Sequence, residues 1–119
     1  MLVTVPEFPA VAELYAKVKK SLADAGVACV HYDGVIPNPT TELVTRGAEL
    51  AKAEGVDVVI GLGGGSSMDT AKAIAVEATH PGTAWDYNCH TAGPTEQTLP
   101  ILAISTTAGT GSQTTPCAV

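Results

Sequence analysis

The chain has 119 residues, enough for one domain with a real core. It carries a net charge of −6 with no basic run, which argues against nucleic acid and anionic membrane as partners. Apolar residues make up 45% and aromatics 4%, a Val-, Ala-, Ile- and Leu-rich balance that fits helices on a parallel sheet better than a β-sandwich. No apolar run approaches a membrane span and no signal peptide opens the chain. Cys29, Cys89 and Cys117 show no C-x-x-C spacing and read as free thiols of a reducing, cytoplasmic compartment.

In chain order, Leu2-Val3-Thr4-Val5 is strand-like, and Pro6 and Pro9 mark a turn and a helix entry. From Ala10 to Ala25 the apolar positions Val11, Leu14, Tyr15, Val18 and Leu22 recur at helical spacing, with Lys17, Lys19, Lys20 and Asp24 on the other side. Gly26 stops that helix. Val27 to Tyr32 is a second strand ended by Asp33-Gly34, on which His31 reads as packed or hydrogen-bonded rather than catalytic. Pro37-Asn38-Pro39 is a rigid turn. Thr40 or Thr41 caps the next helix, whose buried stripe is Leu43, Val44, Ala48, Leu50 and Ala51, and Gly55 ends it.

Val56 to Leu62 is short, apolar and β-branched, the pattern of a buried parallel strand. An Ala-rich helix is predicted from Thr70 to Ala78, terminated by His80-Pro81-Gly82. Thr83 to Leu99 is polar and irregular and reads as an exposed connection. Pro100 to Ile104 is a fourth strand, running into the small, hydroxyl-rich loop Ser105 to Ser112.

The stretch Gly61-Leu62-Gly63-Gly64-Gly65-Ser66-Ser67-Met68-Asp69-Thr70-Ala71-Lys72 organises the rest. A strand, a glycine turn and a helix start together make an anion cradle. Glycine lets the backbone approach a ligand closely, and the free N–H groups of the helix's first turn face it. The spacing is neither the G-x-G-x-x-G fingerprint nor a P-loop, since no Gly-Lys-Ser/Thr follows. The plainer alternative is a strand-to-helix turn with Ser66 as N-cap and Asp69 as its capping-box partner. Lys72 either approaches a phosphate or is solvated.

Asp86, Cys89 and His90, with His80 near, invite a metal hypothesis, but an irregular loop offers neither set spacing nor preorganised ligands, and a polar surface is the simpler reading. No Gly-x-Ser-x-Gly elbow supports a hydrolase.

Alternating strands and helices with right-handed crossovers predict an α/β fold, a Rossmann-like parallel sheet with helices on both faces. Both small-residue loops then lie at the carboxyl ends of strands, where open α/β sheets bind ligands. With Pro37-Asn38-Pro39 after another strand, they suit a dinucleotide better than a single phosphate.

These residues resemble a known family. Gly63 to Lys72 is similar to the glycine-rich motif of the iron-containing (group III) alcohol dehydrogenases. Pro100 to Ile104 followed by Thr106 to Ser112 is similar to their second signature, and Asp33-Gly34-Val35, Pro37-Asn38-Pro39 and Trp85-Asp86-Tyr87 fall in the family's order. The resemblance implies that Gly64, Gly65 and Ser66 hold the pyrophosphate of NAD or NADP, with Asp69 near the ribose and nicotinamide end. Thr106, Thr107, Thr110 and Ser112 would line the cofactor cleft, and Asn38 would touch it from the neighbouring turn.

The implied chemistry is reversible hydride transfer between a small alcohol and an aldehyde or ketone, in a homodimeric full-length protein. A divalent metal, iron, would be held by one Asp and three His of a helical second domain. Residues 1–119 would then be a partial dinucleotide-binding domain, without the family's short N-terminal stretch and C-terminal helical domain, with no catalytic or metal-ligating residue of its own and inactive alone. Three positions depart from the pattern. Val5 stands where NAD-preferring members carry an acidic residue, which opens the choice between NAD and NADP; Gln113 replaces a common Glu, and Cys117 a large apolar residue. A free-standing domain that binds a nucleotide without chemistry is the competing reading.

Overall fold

The computed structural model describes residues 1–88 and 93–119. Its elements in chain order are β1 (Leu2–Val3), α1 (Pro9–Asp24), β2 (His31–Tyr32), α2 (Thr41–Ala53), β3 (Val59–Gly63), α3 (Gly65–Glu77), α4 (Ala84–Asn88) and β4 (Ile101–Ser105), followed by a single 3-10 turn at Ser112–Thr114. The four strands form one sheet in the order β2-β1-β3-β4, and every pairing is parallel. Leu2 sits between His31 and Ile60, and the β3–β4 ladder runs from Val59 opposite Ile101 to Gly63 opposite Ser105.

Strand alternation sends side chains to two cores. Leu2, Ile60 and Leu62 meet Tyr15 of α1, with Val11, Leu14, Val18 and Leu22 packed around them. Val3 and Val59 meet Val44 and Ala51 of α2 and Ala71, Ile74 and Ala75 of α3 on the opposite face. The expected α/β sheet with helices on both faces is the one observed. The helix stripes read from the sequence face the two cores: in α1 Tyr15 is buried and Val11, Leu14, Val18 and Leu22 are half-buried, and in α2 Val44, Ala48 and Ala51 are buried with Gly47 while Leu43 and Leu50 are half-buried.

Several boundaries differ from expectation: β1 covers only Leu2–Val3, and β3 starts at Val59 rather than Val56. The second strand pairs only over His31–Tyr32, because residues 27–29 lie exposed, off the sheet. Helix α3 begins at Gly65 rather than Thr70, so most of the glycine-serine stretch belongs to its first turn. The region from Thr83 to Leu99 is not an open connection throughout. It contains α4, whose first amide, Ala84 N–H, donates to Oε2 of the buried Glu77 at 2.9 Å. The other oxygen of Glu77 accepts from Thr45 Oγ1 of α2 at 2.6 Å, so one buried carboxylate joins three helices. Among the described residues no helix is long and apolar enough to cross a membrane.

Helix α3 rides close on β3 at Gly61. A Cβ there would stand 3.1 Å from Met68 Cα, 3.1 Å from Ala71 Cβ and 3.3 Å from the Ser67 carbonyl oxygen. Two of these are backbone atoms that cannot rotate away. Gly61→Ala is therefore expected to destabilise the protein by about 1–3 kcal/mol, as overpacking of a tight core contact does, read as a lower midpoint in thermal or urea unfolding.

Candidate functional site

Only Gly64 separates β3 from α3. Gly63 turns the chain with φ of 138°, a region side chains avoid, and a Cβ there would lie 2.8 Å from Ser67 Oγ. Gly64 is the N-cap, with extended backbone (φ −88°, ψ −168°). Ser66 is therefore the second helical residue rather than the N-cap, and the capping-box pairing with Asp69 does not form. No side chain caps this end, and no acidic residue lies in the first turn. The amides of Gly65, Ser66 and Ser67 keep the unpaired donors of a helix start.

The second loop lies beside this turn. Thr106 N–H donates to the Gly63 carbonyl at 3.0 Å, extending the β3–β4 ladder past both strand ends. A Cβ on Gly64 would face Thr107 Oγ1 at 3.5 Å, and one on Gly65 would face Thr110 Oγ1 at 3.2 Å. Neither glycine has a left-handed backbone. Their bareness therefore answers to the space between the two loops, not to a turn that only glycine can make. Gly64, Gly65, Thr106, Thr107 and Thr110 are thus brought together as expected, with the three threonines exposed.

Asp69 and Ser112 are also brought together. Ser112 Oγ donates to Asp69 Oδ1 at 2.7 Å, and Lys72 Nζ stands 3.8 Å from the same oxygen. Lys72 is neither solvated nor turned to the glycines: it donates to the Ser112 carbonyl, Ser112 Oγ and the Cys117 carbonyl at 2.6, 2.8 and 2.6 Å. No spacing rule in the sequence would have found this anchor, which links residues 40 and 45 positions apart.

Asp69 and Lys72 line an open cavity of about 420 Å³ together with Pro39, Val44, Trp85 and the segment 116–119. Asn38, next to that wall, is exposed and is the one non-glycine residue with positive φ (52°) among the described residues. Asn tolerates this conformation better than most side chains, and such strain gathers at ligand sites.

Among the described residues no three His, Cys, Asp or Glu groups converge, and two members of the metal hypothesis of the 80–90 region are not among them. His80 is buried and engaged: Thr95 N–H donates to its Nε2 at 2.9 Å, so Nδ1 carries the proton and donates to the Val76 carbonyl at 2.8 Å. Asp86 accepts from Thr83 N–H. Cys89 and His90 lie outside the described residues.

At the carboxyl ends of β1 and β2, Thr4 Oγ1 donates to the Val5 carbonyl at 2.7 Å, so His31 Nε2, 2.8 Å from that oxygen, is the donor to it. His31 also meets the Tyr15 ring edge-on, which makes it the packed, hydrogen-bonded residue expected.

Residues 1–119 match the family model described as iron-containing alcohol dehydrogenase. The choline dehydrogenase of Bacillus subtilis (strain 168) is 50% identical over 102 residues, which is 84% of this chain and 25% of that protein. The chain therefore spans about a quarter of this curated relative. Among solved structures, the archaeal halo-thermophilic Red Sea brine pool alcohol dehydrogenase ADH/D1 superposes with a TM-score of 0.93 at 45% identity, covering 99% of this chain and 32% of that one. The sulfoacetaldehyde reductase of Bifidobacterium kashiwanohense, solved in complex with NAD+, superposes with a TM-score of 0.75 at 30% identity over 93% of this chain and 29% of that one.

Burial, reinforced by Lys19 and opposed by Asp33 and Glu7, lowers the His31 pKa below its ordinary value. A group whose folded pKa is depressed gives stability that is fully present above its unfolded pKa of about 6.5 and is lost as pH falls through the folded value. The thermal midpoint is expected to fall on acidification from pH 7.5 to 5.5. His31→Gln, which keeps a donor for Thr4 but does not titrate, is expected to flatten that part of the profile.

Proposed function

Since this chain belongs to the iron-containing alcohol dehydrogenase family, we propose that its protein interconverts a small alcohol and the corresponding aldehyde or ketone. NAD or NADP is the hydride carrier and a divalent metal, iron, the second cofactor. Residues 1–119 supply the dinucleotide cradle. The observation that carries this reading is the pair Gly64 and Gly65. Their backbone does not demand glycine, yet they stay bare opposite Thr107 and Thr110 at an uncapped helix start.

In this reading the pyrophosphate rests on the first-turn amides of α3, from Gly65 to Ser67, with Gly64 giving it room. Thr106, Thr107 and Thr110 present hydroxyls from the opposite wall. Asp69 serves the ribose and nicotinamide end, and Asn38 meets the cofactor from its own turn. A Cβ on Gly64 would meet Thr107 Oγ1 at 3.5 Å and one on Gly65 would meet Thr110 Oγ1 at 3.2 Å, so a larger side chain at either position would crowd the place proposed for the phosphate. At the end of β1, Val5 offers no carboxylate to the adenosine ribose; its carbonyl is taken by Thr4 Oγ1 and by Tyr15 OH at 3.3 Å.

Among the described residues no three metal-ligating groups converge, and the family reading would place the ligands in the remainder of the protein. A divalent ion held there would supply Lewis-acid chemistry to the alcohol oxygen. The exposed thiols of Cys29 and Cys117 support a reducing, cytoplasmic setting.

The complete protein is expected to oxidise short alcohols with NAD or NADP and to lose turnover to a chelator; chelator-resistant turnover counts against the metal. Gly64→Val is compatible with the extended backbone at 64 and places methyl groups in the phosphate space. It is expected to weaken cofactor binding by about a hundredfold, the equivalent of two charge-assisted hydrogen bonds, in calorimetric titration. Unchanged affinity removes the cradle assignment, and a wild-type preference for ATP over both dinucleotides favours the binding-module reading.

A further inference from the structure

The side chains of Lys72 and Asp69 are 12% and 16% exposed, and Ser112 is 6% exposed. An ammonium has three hydrogens, and all three of Lys72 are engaged, by the Ser112 carbonyl, Ser112 Oγ and the Cys117 carbonyl. A hydroxyl has one hydrogen, and that of Ser112 is directed at Asp69 Oδ1 at 2.7 Å. The ionic contact of Lys72 at 3.8 Å falls on the same carboxylate oxygen.

A phosphate offers acceptors only. Neither Lys72 nor Ser112 has a hydrogen left to give it, and taking one would undo the seam between α3 and the 112–117 segment. Their use as phosphate ligands, entertained for Lys72 from the sequence, is therefore disfavoured by donor counting. Two polar groups instead converge on one oxygen of Asp69 and leave Oδ2 clear of both.

We infer that Lys72 and Ser112 are positioning residues for the cofactor. Together they hold the Asp69 carboxylate by Oδ1, so that Oδ2 is the fixed acceptor for a ribose hydroxyl at the cavity that Asp69 lines. Lys72 also holds the second loop against α3 through Ser112 and Cys117. The inference rests on the dinucleotide reading given under Proposed function.

The test is a double-mutant cycle on the dissociation constant of NADH, or of NADPH if that is the cofactor bound, by fluorescence titration of the complete protein. The members are wild type, Ser112→Ala, Asp69→Ala and the pair, each with its thermal midpoint. Asp69→Ala is expected to weaken binding about tenfold, the worth of one hydrogen bond to a charged group. Ser112→Ala alone is expected to weaken it severalfold, and to change nothing once Asp69 is gone, because its effect runs through that carboxylate.

Multiplying losses in the pair would put Ser112 in independent contact with the cofactor and overturn the inference, as would unchanged affinity in Ser112→Ala. A purely structural role would lower the thermal midpoint without this coupling. Lys72→Met is expected to follow Ser112→Ala in both backgrounds; where it does not fold, Ser112→Ala, which removes a single oxygen, decides. A wild type that binds neither dinucleotide overturns the proposed function itself, whereas tight wild-type binding with multiplying losses overturns only the present inference.

Discussion

The carboxyl edge of this sheet depends on one constraint: α3 starts where β3 stops, with Gly64 alone between them. Such a reversal needs a backbone that side chains avoid, which Gly63 provides, and contact between helix and strand, which Gly61 permits. The donors of the first helical turn are then delivered to the sheet edge with only glycine and serine around them. The parallel β4 ends in register beside β3, and its loop is tied back through Thr106 and Gly63, so a second wall of hydroxyls faces the first. Any account of ligand binding here starts from this geometry.

The electrostatics follow the same logic. A chain of net charge −6 has no excess of cations to attract an anion, and the nearest lysine on α3 is occupied elsewhere. Within these residues, an anion at the start of α3 would be held by backbone dipoles. Those act within about one turn and need the immediate neighbourhood to be free of negative charge. The first turn of α3 carries no acidic residue. Asp69, the next residue that could interfere, stands beside Lys72 and accepts from Ser112, which compensates its charge locally.

The order of strands and helices, the two buried helix stripes and the two edge loops were legible because they rest on periodicity and on β-branched runs, which act locally. The start of α3 was not legible. Gly-Ser-Ser has poor helix propensity, and what makes it helical is contact with β3 through Gly61, a tertiary effect that no window of sequence contains. The short pairing of β2 was not legible either: Val27, Ala28 and Cys29 look like strand but lie exposed. Within the candidate site, the residues facing each other across the loops could be named in advance. The bonding of Lys72 could not, because it depends on where the chain returns some 40 residues later.

The helix starts of the described residues make the last comparison. Helix α4 has a buried carboxylate, Glu77, on its first amide, and Asp86 within it receives the amide of Thr83. Helix α2 carries Glu42 in its first turn, and α1 begins with Pro9, which has no N–H to satisfy. In each, a negative charge or a missing donor answers part of the helix's own requirement. In α3 neither is supplied, although Ser66 and Ser67 sit where a small change of register would let a hydroxyl cap the end. No side chain caps α1 or α2 either, so what sets α3 apart is the absence of both an acidic residue and a proline in its first turn, with Ser67 Oγ buried there without a partner. In the dinucleotide reading proposed above, an anion with several acceptor oxygens would complement those first-turn N–H groups.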